Sequence, residues 1–260
     1  MKKIRVGIHG ARGKMGRLLV QTLIQHPQCM LGAAIVSPND PLIGMPIGTN
    51  STDLCYTADF LPVLPTLDVI IDFSSPLSSV RLMKEAQKTQ TPLLIGTTGF
   101  STEQKDTIIA ASKNMPLLWS ANTSLGINAL VSILPKLVAA LCDFDIELLE
   151  IHHRHKKDAP SGTAQLLLES IRANKPELTM LSPRKNSDLK KQNEIGVASL
   201  RGGTVAGTHT IYFLGEGESV TITHEATSRQ IFVDGALKAA LWLISKPNGL
   251  YNMQDVLEIS

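Results

Sequence analysis

Apolar positions along this chain keep two different rhythms, and the change falls about halfway. In the first half, short apolar runs alternate with amphipathic stretches. Residues 4–8 read as a strand, and 17–24 repeat apolar residues at helical spacing. A second strand is expected over 30–36. Residues 69–73 form a short, largely apolar run of the kind buried on both faces in a parallel sheet. Ser74-Ser75-Pro76 opens a helix to about Thr89, 92–95 is a strand, and 101–113 is a helix with Ser101 as N-cap. A further strand follows at 117–119. This alternation predicts an α/β fold with a doubly wound parallel sheet.

The second half reads differently. A half-buried strand over 144–151 leads to a helix that runs to about Asn174. After a polar stretch at 182–194, the runs 195–200, 208–214 and 219–224 alternate with a period of two between glycine turns. They predict a mixed or antiparallel sheet, hence a second α+β domain. An amphipathic helix over 231–245 has an apolar face with which to pack back on the first domain.

Composition narrows the class. The chain has 260 residues, enough for one large domain or two modest ones, and a net charge of only +2. Its basic residues gather at one locus and in a polar loop, 184–191, rather than along a stripe, so no nucleic-acid partner is expected. Cys29, Cys55 and Cys142 lack the spacing of a disulfide framework or a zinc site. The Lys2-Lys3 start has no apolar stretch of signal-peptide type behind it. The most apolar segment, 125–144, contains Pro135 and Lys136 and reads as a buried helix, not a membrane span. A cytoplasmic protein is the expectation.

Two motifs carry chemistry. Gly10-Ala11-Arg12-Gly13-Lys14-Met15-Gly16 lies between the first strand and the first helix. Glycines in that place permit a tight turn and close approach to a pyrophosphate at a helix N-terminus, so NADPH or NADH is expected. Arg12, Gly13 and Gly16 join Gly10, Lys14 and Met15 as candidate cofactor residues. Gly96-Thr97-Thr98-Gly99 and Ala121-Asn122-Thr123-Ser124 follow later strands, where ligands of such sheets bind. At the end of the second strand Val36 stands where an acidic residue would select NADH, with Ser37 beside it as a donor. Asp40 is the counter-candidate. NADPH is therefore expected to serve at least as well as NADH, with Lys14 able to meet its extra charge.

The second motif is Glu150-Ile151-His152-His153-Arg154-His155-Lys156-Lys157-Asp158-Ala159-Pro160-Ser161-Gly162-Thr163. A solvated loop would account for a lone run of His and Lys. Here the cluster lies where a strand ends and a helix begins at Pro160 and Ser161. Cations beside the free N–H groups of a helix start make a pocket for a dianionic small molecule. A metal site from His152, His153 and His155 is not expected. Neighbours on an extended segment face opposite ways, and no carboxylate is suitably placed.

This second motif closely resembles the signature of the dihydrodipicolinate reductase (4-hydroxy-tetrahydrodipicolinate reductase) family. The resemblance extends to Gly10–Gly16, Asp72-Phe73-Ser74, Gly96–Gly99, Ala121–Ser124, Arg201-Gly202-Gly203, Gly207-Thr208-His209-Thr210 and Thr227-Ser228-Arg229. It implies a Rossmann-like dinucleotide-binding domain from residues 1–123 with 233–260, and a substrate-binding and oligomerisation domain from 124–232. It implies NAD(P)H-dependent reduction of a cyclic unsaturated imine in diaminopimelate and lysine synthesis, a dicarboxylate substrate and a homotetramer. By the same resemblance His152 and Lys156 are the catalytic acid/base pair. His153, Lys156, Ser161, Gly162 and Thr163 bind the substrate's carboxylates. Gly10, Lys14, Met15, Gly96, Thr98, Ala121 and Thr123 contact the nucleotide, with Thr97 and Asn122 in the same loops. Thr123 replaces an aromatic residue common in the family. Two alternatives stay open on the residues alone: another two-domain dehydrogenase acting on an amino acid or sugar phosphate, and a non-catalytic nucleotide sensor.

Overall fold

The computed structural model describes residues 2–48, 54–181 and 189–259. Residues 182–188, with part of the expected polar loop, lie outside them. The chain divides into two compact units. One comprises Met1–Ser124 and Gln230–Val256, and the other is built around Leu125–Arg229. The return to the first unit thus begins at Gln230.

The first unit opens with β1 (Ile4–His9), α1 (Lys14–Gln25), β2 (Cys29–Ile35), β3 (Tyr56–Thr57) and β4 (Val69–Asp72). Then come α2 (Pro76–Thr89), β5 (Leu93–Ile95), α3 (Thr102–Ser112) and β6 (Pro116–Trp119). The second unit contains α4 (Leu125–Ala140), β7 (Asp145–His152), α5 (Gly162–Arg172), β8 (Thr179–Leu181), β9 (Glu194–Arg201), β10 (Gly207–Leu214) and β11 (Ser219–Ala226). The chain returns to the first sheet through α6 (Gln230–Leu243) and β12 (Gly249–Tyr251).

The first sheet has the order β12-β6-β5-β4-β1-β2-β3, and every pair in it is parallel. Its central strands are covered on both faces, so Ile8, Ile70, Ile71, Leu93, Leu94 and Ile95 are wholly buried. That explains why they read as apolar runs rather than alternations. Ser101 caps α3 in a reciprocal box with Gln104, as its position promised. The strand order reverses at β1, where α1 leads to β2 on one side and β4 lies on the other. The crevice beyond those carboxyl ends is where such sheets take ligands.

The second sheet is mixed, in the order β11-β10-β7-β9-β8. β7 is parallel to β9 and antiparallel to β10. On one face Ile146, Leu148, Ile195, Val197, Ile211 and Phe213 form a core with Leu134, Leu167 and Ile171 of α4 and α5. Among the described residues no helix is long and apolar enough to cross a membrane.

Candidate active site

β7 runs through the middle of its sheet, so each of its side chains has a neighbour on both sides. Ile146 and Leu148 face the core. Two residues on, the same face presents Glu150 and then His152, because strand side chains repeat every second residue. Glu150 stands opposite Ser199 of β9 and His209 of β10, and His152 stands opposite Arg201. A sheet face that is hydrocarbon at one end thus becomes a polar cluster at the other.

Glu150 is the hub. It is fully buried. Its Oε1 accepts the Ser161 N–H at 3.1 Å and an Arg201 Nη2–H at 2.8 Å. Its Oε2 lies 3.3 Å from His152 Nδ1 and 3.7 Å from His209 Nε2. Arg201 also donates to the Asp158 carbonyl at 2.6 Å, tying the strand to the loop that precedes α5. His209 Nε2 lies 3.1 Å from Ser161 Oγ, and its ring meets that of His152 edge-on at 5.1 Å. Ser161 in turn caps α5, its Oγ accepting the Ala164 N–H at 3.2 Å.

The charge states follow. Burial alone would raise the Glu150 carboxyl, but hydrogen bonds from Ser161, Arg201 and Ser199 outweigh it and hold the pKa below the usual range. Burial pushes the His152 imidazole down. Glu150 opposes that shift, while Lys156 and Arg201 reinforce it. His209 is driven to about 4 by burial and by its neighbour His152. At neutral pH the cluster is therefore a carboxylate and an arginine with two neutral imidazoles. Nδ1 of His152 lies on the Glu150 side, 3.3 Å from Oε2 and without a hydrogen bond to it, so Nε2 is the nitrogen left for chemistry.

The expectation that no carboxylate stands with the histidines is corrected here. Glu150 lies two residues before His152 on the same strand face. Glu150, His152 and His209 have ligand atoms within 4.8 Å of one another, a spacing that a metal ion could use. Their surroundings favour an anion instead. One carboxylate oxygen is already taken by Arg201 and a backbone N–H, and Lys156 adds positive charge at the two histidines.

The other expected substrate residues are placed unevenly. Lys156 pairs with Asp158 at 2.8 Å and holds that carboxyl below its ordinary pKa. His153 is half-buried, and its ring lies 6.4 Å from that of the exposed His155. The Ser161 hydroxyl caps the helix and lies beside His209 Nε2. Gly162 is exposed, and a Cβ there would meet nothing within 4 Å. Gly162 and the half-buried Thr163 thus open α5, with room above Gly162. Three residues had no role from sequence. Glu150 could have been found from its two-residue spacing to His152, whereas Arg201 and His209 needed the strand pairing.

In the first unit the glycine turn has separable parts. Gly10 adopts φ +79°, and a Cβ on it would strike the Phe73 carbonyl. A Cβ on Gly16 would strike the Gly10 carbonyl, so both glycines are required by packing. Gly13 is the N-cap of α1 and brings no side chain to its first N–H groups, which suits a pyrophosphate. Gly10, Arg12, Gly13, Val36 and Ser37 line a cavity of about 780 Å³ at the ends of β1 and β2. That volume suits the adenosine half of a dinucleotide. Lys14 and Met15 open α1 but do not line this cavity. Asp40 points to Arg12 at 3.2 Å and caps the Leu42 N–H at 2.9 Å.

The later loops are mostly committed to structure. Buried Asp72 accepts from His9 Nδ1 (2.8 Å), Thr97 Oγ1 (3.0 Å), the Ser74 N–H (3.1 Å) and Ser79 Oγ. Thr97 is therefore a brace. Gly96 has the Phe73 ring against it and admits no Cβ. Asn122 Oδ1 accepts the Ser124 N–H at 2.9 Å, and Thr123 Oγ1 donates to the Phe232 carbonyl at 2.7 Å. The Thr123 side chain is thus engaged with α6, leaving its backbone for any ligand. Thr98 and Ala121 are exposed.

Known proteins place these features. The dipicolinate-bound dihydrodipicolinate reductase of Paenisporosarcina sp. TG-14 has the same fold: TM-score 0.81, 24% identity, 98% of this chain and 99% of that one. A scyllo-inositol dehydrogenase of Lactobacillus casei with bound NAD(H) follows at TM-score 0.59 and 13% identity over 99% and 94% of the two chains. Fold and glycine turn together define a Rossmann-like protein with a second sheet domain. The relatives are more specific. The chain is 43% identical to the 4-hydroxy-tetrahydrodipicolinate reductase of Rickettsia bellii, over 97% of this chain and 94% of that one. With the Helicobacter hepaticus enzyme of the same name it shares 43% identity over 98% and 100%. Residues 4–123 match the dihydrodipicolinate reductase N-terminus and 126–257 its C-terminus. The chain belongs to the dihydrodipicolinate reductase family, oxidoreductases of diaminopimelate and lysine synthesis that work with a nicotinamide dinucleotide. That membership replaces both alternatives left open by the residues alone.

Proposed function

We propose that this chain reduces 4-hydroxy-tetrahydrodipicolinate to tetrahydrodipicolinate, with His152 and Lys156 as its proton-transfer pair. The observation that carries the assignment is the Glu150 carboxylate. One oxygen holds the start of α5 through the Ser161 N–H, and the other faces His152 Nδ1. A single buried anion thereby sets both the anion-binding helix end and the proton-transfer imidazole.

A reduced nicotinamide supplies the hydride. The chain supplies everything else. Gly162 and Thr163 N–H groups bind one substrate carboxylate, while His153 and Lys156 meet the other. A bound dianion offsets the positive charge that depresses His152 and raises its readiness to carry a proton. Loss of the 4-hydroxyl as water gives the unsaturated imine; hydride addition to it leaves an enamine-like anion, and His152 Nε2 or Lys156 Nζ delivers the proton it needs. The glycine turn, with Arg12 and Ser37, holds the nucleotide, joined by Gly96, Thr98 and the backbone at Ala121–Thr123.

NADPH is used at least as efficiently as NADH, since Val36 puts no carboxylate at the ribose and Asp40 is neutralised by Arg12. The enzyme works in the cytoplasm as a homotetramer. The second sheet's other face supports assembly, because Leu200 and Leu214 are exposed there beside half-buried Leu149, Ile151 and Tyr212. Light scattering in solution tests the tetramer. Steady-state kcat/KM with each nucleotide tests cofactor use, and a tenfold preference for NADH overturns that part of the assignment.

A further inference from the structure

The cavity beside the glycine turn has a second wall, and that wall is basic. It is formed by α2, which contributes Ser78, Arg81 and Lys84. Residues spaced by three lie on one helix face. The opposite face, Leu82, Met83 and Ala86, is locked in the core and fixes the helix's rotation. The first turn is pinned as well. Ser78 Oγ lies 2.9 Å from His9 Nε2, and His9 Nδ1 lies 2.8 Å from buried Asp72.

Arg81 and Lys84 are exposed, and neither pairs with a carboxylate among the described residues. The Arg81 guanidinium rests over the Phe60 ring at 5.6 Å from its centroid. Lys88, one turn on, is neutralised by Glu85 at 2.7 Å and does not line the cavity. The cavity's charged lining is therefore Arg12, Arg81 and Lys84 against Asp40 alone, and Asp40 already engages Arg12. At the end of β2, buried Val36 offers no anion.

We propose that Arg81 and Lys84 of α2 recognise the 2′-phosphate of NADPH and set the enzyme's preference for it. The inference rests on the reading of this cavity as the adenosine end of the dinucleotide site. It moves the determinant from the glycine loop and the end of β2 to the facing helix. Guanidinium forks bind phosphate oxygens in pairs, and a lysine adds a point charge. NADH has a neutral hydroxyl at the same position and gains nothing from either.

Calorimetric titration with adenosine 2′,5′-bisphosphate and with AMP tests the proposal without turnover. The wild type should bind the bisphosphate at least roughly tenfold more tightly than AMP, a ratio of the size one good charge-assisted contact gives. The double variant Arg81→Ala/Lys84→Ala should lose most of that ratio, and its NADPH to NADH ratio of kcat/KM should fall with it. Lys88→Ala, a cation of the same helix outside the cavity, should change neither ratio. Unchanged ratios in the double variant, or an equal loss in Lys88→Ala, overturn the proposal. If the wild type binds neither nucleotide, the reading of the cavity itself fails, which is a different result from binding both without preference.

Discussion

Glu150 Oε2 stands 3.3 Å from Nδ1 of His152, two residues along the same strand, and both side chains are buried. The carboxylate stands on the Nδ1 side of the ring and leaves Nε2 for chemistry. Glu150→Gln keeps the size and removes the charge. Turnover should fall by roughly 10²-fold, at the low end of what a positioned acid/base contributes. The acid limb of the pH–rate profile should move as the His152 pKa falls further. Glu150→Ala should also destabilise the protein by about 3 kcal/mol, because Arg201 is left without its partner. Urea unfolding of the two variants separates the catalytic loss from the structural one.

Acid should weaken the fold in two stages. Burial drives His209 to about 4 in the folded protein, against an ordinary histidine value of 6.5. Between those values the unfolded chain binds the proton and the folded one does not, so stability falls as pH drops from 6.5 toward 4. The gap is worth roughly 3 kcal/mol. Glu150 has a depressed pKa, so its contribution is present above the unfolded value and is lost as pH falls through the folded one. His209→Gln should make the first stage shallower, with the depressed His152 and His224 supplying what remains, and leave the second. A slope unchanged in that variant would remove His209 from the account.

Two glycines separate space needed by catalysis from space needed by packing. A Cβ on Gly207 would lie 3.0 Å from His152 Nε2. Gly207→Ala should crowd the reactive nitrogen and lower kcat by roughly tenfold or more, as small misplacements do. A Cβ on Gly162 would meet nothing within 4 Å. Gly162→Ala should leave the melting temperature within about 2 °C, a surface-sized effect. It should raise the substrate KM, because a carboxylate would use that space. An unchanged KM would place the substrate elsewhere.

Much of this was legible in the sequence, for identifiable reasons. The parallel sheet showed because strands buried on both faces become apolar runs, and α3 because Ser101 and Gln104 spell a capping box. β3, β8 and β12 did not show. They are two or three residues long, and neighbouring strands, not their own pattern, define them. The loop residues were legible as a group but not in their roles. Nothing local says that Thr97 braces Asp72 or that Thr123 reaches Phe232, since those partners lie 25 and 109 residues away. Arg201 and His209 escaped for the same reason: their partnership with Glu150 spans 51 and 59 residues and exists only once three strands pair.

The most direct test follows absorbance at the nicotinamide band, with enzymatically generated substrate, for the wild type, His152→Ala and Lys156→Ala. The wild type should oxidise the reduced nucleotide only when substrate is present. Each variant should lose roughly 10²–10⁴-fold in turnover, the range of a positioned proton donor. Nucleotide affinity, read by calorimetry, should stay within about threefold, less than a tenfold step in binding energy. Wild-type rates in both variants, or no oxidation by the wild type with this substrate, would contradict the assignment.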